Sequence, residues 1–203
     1  MLAVKVHSNE QLVGDLDFQE SLEAIPRGYM VKGMFLGSMV SNLGTAAWEE
    51  LKPRLDAPPR WDRYLPFTDY PQRDHFRIVY ELVRRRFSGY GTREGMRRVA
   101  RDDLRIFASS LVGRAMLGAV GNAVDALLLL PLGYRHVVRG QELEGHRVSQ
   151  SEARLEWRYD DGRWEYNLGQ VEGIVLHFCS GCTTRILEAN PSHQILEIKL
   201  DAV

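Results

Sequence analysis

The chain has 203 residues, with 26 lysines and arginines against 27 aspartates and glutamates, a formal net charge of -1, 44% hydrophobic and 26% charged residues. That length suits one domain burying about 70% of its unfolded surface without disulfides or metal, and the composition excludes an intrinsically disordered chain. The charge balance excludes a dedicated nucleic-acid binder, and two cysteines exclude a disulfide-stapled secreted scaffold.

The first residues alternate Leu2, Val4 and Val6, which predicts a short strand. They hold no long apolar core, so they are not read as a signal peptide. Asp17 caps a short helix through Glu23, ended by Pro26. Met30, Met34, Phe35, Leu36 and Val40 fall at helical spacing, so one helix is predicted over 27–43. Its Gly33 and Gly37 read either as a close helix approach or as tolerated helical glycines. Gly44 ends it, and Thr45 caps a helix to about Leu55. Residues 56–71 hold Pro58, Pro59, Pro66 and Pro71 together with Trp61, Tyr64, Phe67 and Tyr70. That density forbids a regular helix and predicts an ordered loop pinned by its aromatic rings.

Phe76, Val79, Val83 and Phe87 share a face and predict a helix over 72–87, with Arg84, Arg85 and Arg86 at its C-terminal end. Thr92 opens another, with Met96, Leu104, Phe107 and Leu111 on its apolar side. The most apolar stretch, Ala115–Leu132, holds Asn122, Asp125 and Pro131. It reads as a buried core helix from about Ala123 to Leu130, not a membrane span. The expected location is the cytoplasm, with no membrane and no nucleic acid as partner.

After Gly140 the period becomes two. ARLEWRYDDGRWEYNL alternates on either side of Asp161-Gly162 and predicts a hairpin whose return strand carries Trp164, Tyr166 and Leu168. A helix over VEGIVLHFC and strands at 183–189 and 194–200 follow. The fold class is therefore α+β, a helical N-terminal part packed on a C-terminal antiparallel sheet of ββαββ order. We read a single domain over 1–203, with a helical subdomain 1–140 and a ββαββ subdomain 147–203.

The order hairpin (ARLEWRYDDGRWEYNL), helix (GQVEGIVLHFC), hairpin (TTRILEANPSHQILEIKL) resembles the C-terminal half of haem nitric-oxide/oxygen-binding (H-NOX) domains and of the related 4-vinyl-reductase-type domains. Across nearly the whole chain, VKGMFLGSMVSNLG, the stretch ending DYP, YGTREGMRRVARD and SLVGRAMLG resemble a paralogous family of uncharacterised myxobacterial proteins. That resemblance implies a fold and no mechanism. The haem-binding relatives use a proximal histidine before the first hairpin and a Tyr-x-Ser-x-Arg element on the return strand. His136, or alternatively Tyr134, lies near the first. At the second, Tyr166 matches, while Leu168 and Gln170 replace serine and arginine, so the propionate anchors are missing. The resemblance therefore implies a domain without a cofactor.

His177, Cys179 and Cys182, with His193, offer metal-ligand types, but a single CxxC lacks the second knuckle of a structural zinc site. The cysteines read as ordinary thiols at a helix end. Glu156 between Arg154 and Arg158 reads as a solvated cross-strand charge ladder. Arg84, Arg85, Arg97 and Arg101 read as a basic surface for a phosphate-bearing ligand or acidic partner, or as a solvated face paired with neighbouring acids. No G-x-S-x-G, P-loop or H-E-x-x-H occurs. The functional expectation is a non-catalytic sensory or adaptor domain, not an enzyme. It would bind a small apolar molecule, or a protein partner, in or beside a cavity lined by Phe107, Leu111, Leu128, Tyr134, His136, Trp157 and Trp164. The arginine and aromatic surfaces leave a homodimer open. The alternative is a haem-based gas sensor with His136 as proximal ligand.

Overall fold

Residues 164–178 decide the architecture. In the computed structural model, which describes residues 4–60, 63–109, 111–158, 163–190 and 192–201, they form a helix, α8, and not the return strand expected from their alternation. From Glu165 to Val175 every residue but Gln170 is buried. A helix covered on all sides has no polar stripe, so its 3.6-residue signal is erased, and the aromatic and β-branched residues left behind mimic a strand. The Asp161-Gly162 turn lies outside the described residues.

Strands β1 (Val4–His7), β5 (Glu142–Arg147), β6 (Glu152–Arg158), β7 (Cys182–Asn190) and β8 (His193–Leu200) form one antiparallel sheet in the order β1-β7-β8-β6-β5. The chain order after residue 140 is β5, β6, α8, β7, β8. The first hairpin is thus β5–β6, with its turn at 148–151, where the amides of Val148 and Ser149 donate to the carbonyl of Glu152. β5 escaped the sequence reading because ELEGHR offers a single large apolar residue, Leu143. Gly145 leaves room there for the opposing helix: a Cβ would meet Pro131 at 3.3 Å and Leu128 at 3.4 Å.

The helical part contains α1 (Phe18–Ala24), α2 (Gly33–Leu43), α3 (Thr45–Leu51), α4 (Gln72–Arg86), α5 (Thr92–Ser109), α6 (Leu111–Gly118) and α7 (Ala123–Val137). Asp17 caps α1 by accepting from the amides of Gln19 and Glu20. Two boundaries differ most from expectation. Met30–Lys32 is a strand, β2, paired with β3 (Asp69–Pro71) and β4 (Val138–Arg139), so the 27–43 helix starts only at Gly33. And α7 runs through Pro131 to Val137. A proline removes one intrahelical hydrogen bond; here both turns around it are held by packing, Ala126 and Leu127 in the core and Tyr134 beyond. In the proline-rich stretch Tyr64 and Tyr70 are buried, their rings edge to face at 4.7 Å, while Phe67 is 83% exposed; Trp61 lies outside the described residues.

Two hydrophobic clusters result. One gathers α2, α3 and α4 around Leu36, Trp48, Phe76 and Ile78. The other fills the space between the sheet and α7–α8, with Leu155, Trp157, Leu168, Val175, Leu196 and Ile198. Helix α8 borders both and presses closely on α5 through Gly169 and Gly173: a Cβ at Gly169 would lie 2.1 Å from the Arg97 carbonyl oxygen. The close helix approach weighed for Gly33 and Gly37 is made by this other glycine pair. Gly33 instead starts α2 against the Leu65 carbonyl, and Gly37 meets nothing within 4 Å.

Candidate functional site: a cavity between α4, α7 and α8

On α7, positions 126, 129, 130, 133, 134 and 137 recur at three and four and so share one face. That face forms one wall of a cavity of about 360 Å³. Tyr166, Gln170 and Ile174, four residues apart, give the α8 wall, and Gln72, His75 and Phe76 give the α4 wall. Val31, Met34, Phe35 and Val138 close one end, and Leu104 and Leu117 contribute from α5 and α6. The cavity is graded in depth. Phe67 at 83% and Leu129 at 39% exposure, with exposed His136, frame its mouth, while Tyr166 at 4% and His75 at 6% lie inside.

Several of its polar groups are joined. Tyr134 Oη donates to Gln141 Oε1 at 2.7 Å, which also accepts from Gln72 Nε2 at 3.2 Å. Asn167 Nδ2 donates to Gln194 Oε1 at 2.7 Å. His75 Nε2 and Tyr166 Oη are 3.2 Å apart, their rings edge to face at 5.4 Å. Burial, with the Arg163 charge nearby, pulls the His75 pKa from 6.5 to about 3, so the imidazole is neutral. Burial likewise pushes the Tyr166 phenol well above its ordinary value. His75 Nδ1 is buried with no hydrogen-bond partner. No lysine or arginine occurs among the described lining residues.

The other side of α8 is the opposite in chemistry. Glu172, fully buried, receives Arg97 and Arg101 from α5. Arg97 also donates to Glu94 and to the backbone carbonyls of His7 and Glu10. Burial lowers the Arg97 pKa, but Glu172 and Glu94 more than offset this and hold it raised. Glu165 pairs with Arg93. This corrects the basic-surface reading: Arg97 is 0% exposed and ties α5, α8 and the segment after β1 together. Arg84 and Arg85 do lie outward, bonded to Glu81.

Of the residues expected to line a ligand site, Tyr134 and His136 do. Trp157, 1% exposed, and Leu128 belong to the sheet-side cluster instead, and Trp164 packs against that cluster under the Arg93 guanidinium. The side chains of Phe107 and Leu111 lie outside the described residues. The Tyr166, Leu168, Gln170 register also changes meaning. On a helix Tyr166 and Gln170 face the cavity while Leu168 turns into the core, so the three do not form one element. His75 was missed because only apolar residues were counted on the face of Phe76, Val79 and Val83; position 75 lies four before Val79 on that face.

The metal-ligand set His177, Cys179, Cys182 and His193 is not assembled. Cys182 pairs with Leu200 and His193 with Asn190, at opposite ends of the β7–β8 hairpin, eight residues or about 26 Å apart at strand rise. Burial pushes the Cys182 thiol up to about 12. His193 lies between Glu156 and Glu188 at 2.9 and 3.1 Å, bonds that raise its pKa. Among the described residues Glu144, His146 and Glu156 bring ligand atoms within 4.8 Å of one another on the outer sheet face, with the Arg158 guanidinium against both carboxylates. This is the solvated ladder, extended by Arg154–Glu197 at 2.8 Å. No helix among the described residues is long and apolar enough to cross a membrane.

A helical part over an antiparallel sheet, with a cavity against the crossing helix, is the H-NOX fold. The chain is similar in structure to an H-NOX protein from S. oneidensis in the Fe(II)NO ligation state, with 14% identity and TM-score 0.67 over 84% of this chain and 99% of that one. An oxygen-binding H-NOX domain related to soluble guanylate cyclases, in its oxygen complex, gives 18% and 0.65 over 84% and 95%. An unliganded Fe(II) H-NOX variant from K. algicida gives 9% and 0.64 over 84% and 97%. The chain itself belongs to the family described as Protein of unknown function (DUF2378), whose model matches residues 25–190. No curated protein matches it by sequence.

For a haem, these residues supply an apolar wall and histidines both inside and at the mouth. They supply no cation for a propionate held inside.

Proposed function

We propose that this chain is a non-catalytic sensory domain, cytoplasmic, whose signal is the occupancy of the α4–α7–α8 cavity by a small, largely apolar molecule. The observation that carries the reading is the cavity itself: about 360 Å³, walled by apolar side chains, with a few polar groups facing it. Its walls come from α7 on one side and from α4 and α8 on the other, so an occupant touches both hydrophobic clusters and changes how they sit. That is a differential contact a sensor needs. Free thiols at Cys179 and Cys182 support the cytoplasmic assignment.

A second reading, a haem-based gas sensor with His136 as axial ligand, is favoured by the likeness to Fe(II), NO and oxygen complexes of H-NOX domains. The cation-free lining favours the haem-free version. Absorbance of the purified protein before and after haem addition, with native mass spectrometry, separates them. A Soret band abolished by His136→Ala establishes the second reading. A colourless protein carrying another small molecule, lost in a cavity-filling Leu130→Trp variant, supports the first. If nothing binds and Leu130→Trp leaves the protein unchanged, the cavity is not the working part and a protein partner on the surface is.

A further inference from the structure

Resting on the cavity reading, we infer that the occupant is an uncharged apolar molecule bearing one hydrogen-bond acceptor, a ketone or similar carbonyl, held at the inner end of the cavity by the His75–Tyr166 pair.

Three observations lead there. First, the described lining holds no arginine, lysine, aspartate or glutamate. A charged group brought inside would lose its water and gain no counter-ion, which is prohibitive. The nearest cation to the pair, Arg163, stacks 4.2 Å over the Phe76 ring and donates to Tyr80 Oη at 2.8 Å and to the Ser21 carbonyl, outside the lining.

Second, the deep end of the cavity is polar in one particular way. His75 and Tyr166 share one hydrogen bond. If the phenol donates to Nε2, the neutral ring carries its proton on Nδ1, which has no partner in the protein. If Nε2 donates to the phenol oxygen, the phenol hydrogen is the one without a partner. In either tautomer one donor of the pair remains unused; Nδ1 is closed off from the cavity, so the phenol of Tyr166, a lining residue, is the donor that a ligand acceptor completes.

Third, of the other polar lining groups, Tyr134 and Gln72 are joined to Gln141 and Asn167 to Gln194, while Gln170 and His136 are less buried than the inner pair. That leaves the inner pair as the anchor and the remaining wall as an apolar sleeve.

The test uses the full-length protein and the neutral fluorophore Nile red as reporter, displaced by 2-decanone, decane or decanoate. The expected result is that 2-decanone displaces it about tenfold more tightly than decanoate, and that Tyr166→Phe and His75→Phe, checked for folding by thermal melting, weaken 2-decanone about tenfold while leaving decane unchanged. Decanoate binding as tightly as 2-decanone, or 2-decanone affinity that survives both substitutions, overturns the inference while leaving the cavity reading intact. Failure of Nile red and all three probes to bind the unaltered protein overturns the cavity reading itself.

Discussion

The two sides of α8 invite comparison, because one helix carries them both. Toward α5 it presents Glu165 and Glu172, each 0% exposed, and each is met by arginines. Toward α7 it presents Tyr166, Gln170 and Ile174 to a cavity with no charged residue among the described lining residues. On α8, buried charge is present where partners reach it from a neighbouring element and missing where a space would leave it bare. The charged side works as a clamp. The other side is free to accept an occupant because nothing there needs a permanent counter-ion.

Breaking the clamp should produce the largest effect. Arg97→Leu strands Glu172 in the interior and is expected to cost about 3–5 kcal/mol, read from the midpoint of denaturant unfolding. Equal stability of the variant would mean that Glu172 does not depend on Arg97. Gly169→Ala tests the same interface by volume. Its methyl group would fall on the Arg97 carbonyl, at an expected cost of about 1–3 kcal/mol.

Two buried titrating groups make stability depend on pH in opposite directions. On the cavity side, His75 has a folded pKa near 3 against 6.5 unfolded. The unfolded chain takes up that proton first, so stability falls as pH drops below about 6.5 toward 3. His75→Phe should flatten that acid limb. Asp103 behaves inversely: burial raises its pKa from 3.8 to about 7. The unfolded state loses the proton first, so stability is lost as pH rises from about 4 through 7. Asp103→Asn should therefore gain on the unaltered protein most above pH 7 and least below pH 4. A gain that does not vary with pH would mean that the Asp103 carboxyl does not titrate in this window. The smallest effect is expected outside both regions: Arg84→Ala removes an exposed arginine from Glu81, which Arg85 still holds, and should change stability by less than about 0.5 kcal/mol.

Legibility followed exposure. Helices α4 and α5 each keep a wet side, and their apolar stripes gave them away. So did β7 and β8, whose outward residues include Arg185, Glu197 and Lys199. Where an element is covered all round, the stripe vanishes: α8 imitated a strand. Where one is very short, as β2 is, or mostly polar, as β5 is, pairing partners elsewhere in the chain made it a strand. The candidate site was legible at Tyr134 and His136. It was illegible at His75, which is made special by a tyrosine 91 residues away.

The sequence by itself determined the α+β class, the absence of a net charge that would suit nucleic acid, the amphipathic helices and the final hairpin. These follow from composition and from contacts within a few residues. Only the tertiary structure decided that 164–178 is a central helix, that Arg97 is an interior clamp, and that His75 and Tyr166 meet at the bottom of a cavity. Each of those depends on which distant segments exclude water together, a property that local periodicity does not encode.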